Sequence, residues 1–119
     1  LPVVHSIGLS AAGEPLNVNA DEAACAIARV VGASGIVLLT DVPGVLDRSK
    51  SLVPERDADA IDALIADGTI SGGMIPKVRS ATDALQKGVG KIHMIGGHIQ
   101  HCLLLEIFTD DGIGTEIIH

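Results

Sequence analysis

Gly35-Ile36-Val37-Leu38-Leu39-Thr40-Asp41-Val42-Pro43-Gly44-Val45-Leu46-Asp47 is the stretch whose reading decides the fold. Its four consecutive aliphatics are too few for an independent helix and apolar at every position. They predict a strand buried on both faces, as in the middle of a parallel sheet. The run stops at Thr40-Asp41, and Pro43-Gly44 then turns the chain, proline with its φ pre-set and glycine free to take positive φ. In open α/β sheets ligands bind beyond the carboxyl ends of strands, and this is such an end. A buried strand followed by an ordinary turn explains the same residues, so the stretch alone leaves a binding role open.

Moving toward the amino terminus, Asn19 reads as an N-cap, with Glu22 three residues on to complete a capping box. The helix it starts runs to about Val31 and stops at Gly32. It is Ala-rich nearly all round, which predicts close packing in the interior. Before it, Leu16-Asn17-Val18-Asn19 alternates as a brief extended segment, and residues 3–9 read as a short buried strand. The chain has no initiator Met and starts within that strand-like run. It is expected to be the carboxyl-terminal piece of a longer protein, forming one domain over residues 1–119 with an amino-terminal half absent.

Toward the carboxyl terminus, residues 47–54 form a polar loop. Asp57 caps a helix carrying Ile61, Leu64 and Ile65 that ends at Asp67-Gly68. A third helix starts near Gly73, because Pro76 is tolerated only in a first turn, and its apolar positions are Met74, Val78, Ala81 and Leu85. Lys91 to Ile95 reads as a second core strand. A fourth helix carries Ile99, Cys102, Leu103 and Ile107, and Thr115 to Ile118 forms a closing edge strand. Alternation of this kind predicts an α/β fold: a mostly parallel open sheet with helices on both faces.

Composition narrows the function. Only Phe108 is aromatic and the net charge is −7, which argues against nucleic-acid binding, since base-stacking platforms and a basic surface are both missing. A nucleotide is still compatible, because backbone N–H groups and a placed lysine can hold phosphates. The two cysteines, Cys25 and Cys102, lie in apolar helical patterns as free buried thiols, consistent with a reducing compartment. No apolar run approaches a membrane span and no charged-then-apolar signal precedes the first residues. A soluble, cytoplasmic protein is expected.

Two polar groupings stand where an apolar architecture has no need of them. Asn17, Asn19 and Asp21 crowd the mouth of the first helix. Asp21 there has two readings, a dipole-stabilised first-turn carboxylate or a functional group. In Ser71-Gly72-Gly73-Met74-Ile75-Pro76-Lys77, two glycines before a helix let the backbone approach an anion, and Lys77 one turn in can reach the same place. A solvated lysine on a capped helix is the alternative, although it opposes the helix dipole. His93, His98 and His101 lack a completing carboxylate or thiolate, so no metal site is assigned.

Taken together, Leu16-Asn17-Val18-Asn19-Ala20-Asp21, Leu38-Leu39-Thr40-Asp41-Val42-Pro43-Gly44-Val45 and Ser71-Gly72-Gly73-Met74-Ile75-Pro76-Lys77 closely resemble motifs of the acetylglutamate kinases, a branch of the amino acid kinase family. The motifs occur in that family's order and near its spacing. The resemblance implies phosphoryl transfer from ATP, with Mg2+ carried on the nucleotide, to the side-chain carboxylate of N-acetyl-L-glutamate in arginine synthesis. By motif, it implies Lys77 and Asp21 as catalytic residues and Asn17 as a substrate contact. It places Thr40, Asp41, Val42, Pro43, Gly44, Val45, Leu46, Thr69, Ile70, Ser71 and Met74 around the nucleotide. His93, Glu106-Ile107-Phe108-Thr109 and Gly112-Ile113-Gly114-Thr115 resemble the arginine-inhibited members, which implies His93, Glu106 and Gly112 as an L-arginine site. A helix end followed by a strand start explains that last segment equally well. The family's glycine-rich phosphate loop, second lysine and substrate arginine are not in this chain. It is therefore expected to be inactive by itself, and a homo-oligomer is expected of the full-length enzyme. A non-catalytic arginine- or nucleotide-binding module, or another amino acid kinase, is the competing expectation.

Overall fold

The computed structural model describes all 119 residues. In chain order the elements are β1 (Ile7–Leu9), β2 (Pro15–Asn17), α1 (Ala20–Val31), β3 (Ile36–Thr40), β4 (Glu55–Asp57), α2 (Ala58–Ala66), α3 (Met74–Gln86), β5 (Ile92–Gly96), α4 (Cys102–Phe108) and β6 (Thr115–Ile118). The main sheet has the order β3-β5-β6-β4. β3 and β5 pair in parallel, as do β4 and β6, whereas β5 and β6 run antiparallel. The sheet is thus mostly parallel, as the alternation of elements predicts.

The helix signals read from sequence find their structural causes. Asn19 Oδ1 accepts from the backbone N–H groups of Asp21 and Glu22, at 3.0 and 3.2 Å, while the Glu22 side chain makes no reciprocal bond and leaves the capping box half built. Asp57 Oδ1 accepts from Ala60 N–H at 2.7 Å and starts α2. Gly32 takes the left-handed conformation (φ 65°) that ends α1.

One face of the sheet packs Leu38, Ile92, Met94 and Ile117 against Cys25 and Ala28 of α1, Ile61 of α2, and Val78, Ala81, Ala84 and Leu85 of α3. α4 lies over the opposite face, where its Glu106 meets His93 of β5. Helices therefore cover both faces, but unequally.

Five expectations need correction. β3 is an edge strand here, not a central one, and its Leu39 is 52% exposed. The strand expected over residues 3–9 is limited to Ile7–Leu9, is largely exposed, and pairs only with β2 in a hairpin outside the main sheet. α1 is not interior all round: Ile27, Val30 and Val31 are exposed and only Cys25 and Ala28 are buried. β6 is not an edge, because β4 pairs with its outer side. Cys102 is only half-buried, whereas Cys25 is buried; both thiols are free. No helix is long and apolar enough to cross a membrane.

Candidate functional site

The packing of α1 against α3 brings Asp21 and Lys77 together, although 56 residues separate them in sequence. Lys77 Nζ donates to Asp21 Oδ2 at 2.7 Å, with the two side chains only 19% and 26% exposed. Each sits in or just beyond the first turn of its helix, and the small side chains of Cys25, Ala28 and Ala81 let the two helices approach. The carboxylate fixes an otherwise flexible ammonium, which would be disfavoured alone beside a helix N-terminus. Cys25, one turn along α1, stays a thiol: burial pushes it up first, the charges of Asp21 and Asp83 add to this, and Lys77 opposes them.

The amino end of α3 is open. Gly73 occupies the cap position with no side-chain hydrogen bond to the first-turn N–H groups. A Cβ placed on Gly72 or Gly73 would meet nothing within 4 Å. Ile75 N–H already donates to Gly72 C=O at 3.2 Å and Pro76 has no N–H, so the Gly73 and Met74 N–H groups, with free space beside the glycines and a lysine one turn in, are the donors that suit an anion.

Beside this helix end lies a cleft of about 280 Å³, lined by Val42, Gly44, Leu46, Thr69, Ile70, Ser71 and Met74. All seven belong to the nucleotide set implied by the motifs. The other four members of that set do not line it. Thr40 is buried and closes a turn on Val42, whose N–H donates to Thr40 Oγ1 at 3.1 Å. Val45 is buried beneath the loop, Pro43 is half-buried and Asp41 is exposed. Gly44 is required by close approach, since a Cβ there would stand 2.7 Å from Thr115 Oγ1 and 2.8 Å from Leu52 Cδ1. The structure also places Arg48 at the rim, where its Nε donates to Thr69 Oγ1 at 3.2 Å. Nothing in the sequence pattern had marked Arg48. Asn17 stands exposed on β2 and its side chain makes no hydrogen bond.

A second cleft of about 300 Å³ lies at the other side of β5. It is bordered by five carboxylates, Glu55, Glu106, Asp110, Asp111 and Glu116, together with Lys91, His93, Gly112 and Gly114. Glu106 is 8% exposed and fully engaged. Its Oε1 is 2.5 Å from His93 Nδ1, and its Oε2 accepts from the N–H groups of Ile113 (2.7 Å) and Gly114 (3.1 Å). His93, grouped by spacing with His98 and His101, is thus committed to a carboxylate. Lys91 pairs with Glu116 at 2.9 Å.

Burial pushes the Glu106 carboxyl up, but the Ile113 N–H, the hydrogen bond and charge of His93, and the Gly114 N–H outweigh it and hold the group below its ordinary 4.5. A carboxyl lowered in the folded state stabilises above its unfolded pKa, and that stabilisation is lost as pH falls through the folded one. We therefore expect the Gly112–Gly114 segment to be steady at neutral pH and to loosen only on acidification below the ordinary carboxylate range. NMR titration of the Ile113 and Gly114 amides checks this, and Glu106→Gln removes the transition. An unchanged acid transition in that variant would assign it to another group.

The fold is shared with known kinases. The chain belongs to the amino acid kinase family, whose model matches residues 1–96. Within that family it is 50% identical over 117 residues to the acetylglutamate kinases of Aromatoleum aromaticum and Bordetella avium, covering 98% of this chain and 39% of each relative. The chain thus spans about two fifths of the length of these curated relatives. Among solved structures it resembles the N-acetylglutamate synthase from Neisseria gonorrhoeae complexed with coenzyme A and L-arginine, with a TM-score of 0.88 at 29% identity, over 95% of this chain and 26% of that one. It also resembles the carbamate kinase from Giardia lamblia bound to AMP-PNP, with a TM-score of 0.69 at 25% identity, over 89% of this chain and 34% of that one.

Proposed function

We propose that this chain is the nucleotide-binding part of an acetylglutamate kinase, which transfers a phosphoryl group from ATP to the side-chain carboxylate of N-acetyl-L-glutamate in arginine biosynthesis, in the cytoplasm. The observation that carries the reading is the 2.7 Å Lys77–Asp21 pair at the open end of α3, next to the cleft of Val42, Gly44 and Met74. Phosphoryl transfer needs positioning and charge stabilisation more than covalent chemistry. Lys77 meets the negative charge developing on the phosphoryl group, Asp21 holds the lysine in place, and the Gly73 and Met74 N–H groups at the start of α3 receive phosphate oxygens. Bound with the nucleotide, Mg2+ would supply positive charge to its phosphates. Asn17 contacts the acetylglutamate.

The test has two arms. A full-length protein carrying this chain forms acetylglutamyl phosphate, trapped as its hydroxamate, and uses carbamate poorly. The isolated 119 residues bind ATP weakly by calorimetry and form no acyl phosphate above background. Product formation by the isolated chain would show that these residues contain the whole catalytic apparatus. A full-length protein that binds ATP and phosphorylates nothing would favour the non-catalytic module.

The acidic cleft supports a regulatory extension of the same proposal. L-arginine enters it, with His93, Glu106 and Gly112 as its frame. A planar guanidinium pairs its donors with carboxylates bidentately, and five carboxylates border this cleft.

A further inference from the structure

We infer that the Thr115 hydroxyl is the positioning residue of the cleft loop and links that loop to the Glu106 clamp. Thr115 is fully buried at the start of β6. Its Oγ1 accepts from Val45 N–H at 2.9 Å and donates to Val53 C=O at 2.6 Å. These two backbone groups belong to opposite arms of the loop between β3 and β4, and Val53 N–H in turn donates to Val45 C=O at 2.9 Å. One side chain thus closes the base of the loop whose Val42, Gly44 and Leu46 line the cleft. Gly44 faces the same oxygen so closely that a Cβ there would collide with it.

The two residues just before Thr115 are those whose N–H groups Glu106 holds. Gly114 has no room to give way sideways, because a Cβ there would collide with the Met94 carbonyl oxygen. A displacement of the clamp therefore moves along the backbone to Thr115, and through its hydroxyl to Val45. The topology makes this possible: the antiparallel step between β5 and β6, with Met94 opposite Thr115, brings the start of β6 to the edge where β3 and β5 end. This rests on the reading of the cleft as the nucleotide site only for its functional consequence; the mechanical link stands on the hydrogen bonds themselves.

Amide hydrogen exchange on the protein tests the link, with fluorescent ATP-analogue binding as a second readout. Thr115→Val keeps the side-chain shape and removes both hydrogen bonds. It should speed exchange at Val45 by about tenfold or more, because a buried donor is left without a partner. The Ile36 amide, bonded to Lys91 at the far end of the sheet, should be unaffected, and Thr115→Ser should restore Val45. Glu106→Gln should also speed exchange at Val45, and should add nothing in the Thr115→Val background, as coupled sites require. Should Thr115→Val fail to fold, Gly44→Ala displaces the loop from the same oxygen and should expose Val45 alike. Analogue affinity should fall in step with Val45 protection. Unchanged Val45 exchange in a folded Thr115→Val protein overturns the positioning role, and independent effects of Thr115→Val and Glu106→Gln overturn the link. Changed exchange with no analogue binding even in the wild type would instead retire the nucleotide reading and leave the link standing.

Discussion

In a full-length kinase carrying this chain, Lys77→Ala lowers kcat by roughly 100-fold or more while the ATP dissociation constant changes by less than about threefold. The asymmetry follows from where the ammonium sits. It is already neutralised by Asp21 at 2.7 Å in the absence of nucleotide, so ground-state phosphates gain modestly from it. Charge that develops on the transferring group gains more, because the lysine is held in place and partly shielded from water, and needs no reorganisation. Stopped-flow turnover and analogue titration separate the two quantities. A rise in the dissociation constant with turnover intact would make Lys77 a ground-state contact.

Arginine inhibition should be the second large effect. In the same full-length enzyme, Glu106→Gln raises the half-inhibiting arginine concentration by about 30-fold or more, the loss expected when one member of a buried charge pair is neutralised. Glu106 borders the acidic cleft and keeps its charge, and arginine must share or replace its present partners His93, Ile113 and Gly114. Inhibition requires that arginine bind a less active state more tightly. Titration of wild type and variant at fixed substrate measures the shift. Equal inhibition removes Glu106 from the site, and no inhibition of the wild type leaves the segment with only its structural duty of holding Ile113 and Gly114.

Local signals in the sequence carried much of the fold. Asn19, Asp57 and Gly32 act at helix ends through contacts within three or four residues, so their identity alone reports their role. Pro76 placed the start of α3 for the same reason. β4 escaped notice because Glu55-Arg56-Asp57 has no apolar position; all three residues are exposed, and only backbone pairing with β6 makes them a strand. Missing β4 made β6 look like an edge. The position of β3 was misread in the opposite direction, because four aliphatics mimic a strand covered on both faces while Leu39 stands in the open.

The candidate site was legible by residue, and the partnership of Asp21 with the lysine only through the family resemblance. Asp21 and Lys77 each drew attention as polar groups at helix starts, yet their pairing depends on how α1 lies on α3. Glu106 was recognisable, but its capture of His93 and two backbone N–H groups was not. Thr115 gave no signal of its own, since a threonine in a strand is ordinary. Only its burial and its two backbone partners set it apart.

The pairing of distant segments also governs how fast this molecule can assemble. Ile36 finds Ile92 and Glu55 finds Glu116, whereas the only local strand pair, β1 with β2, stands apart from the main sheet. Each parallel contact must close a long excursion of chain before it returns any energy, and such topologies fold on the order of milliseconds to seconds rather than microseconds. During that interval the aliphatic run 36–39 has α1 to pack on but no neighbour strand from the main sheet. Its exposure to other nascent chains is set by the arrival of β5, some fifty residues later in synthesis, at ribosomal speeds of about 5–20 residues per second.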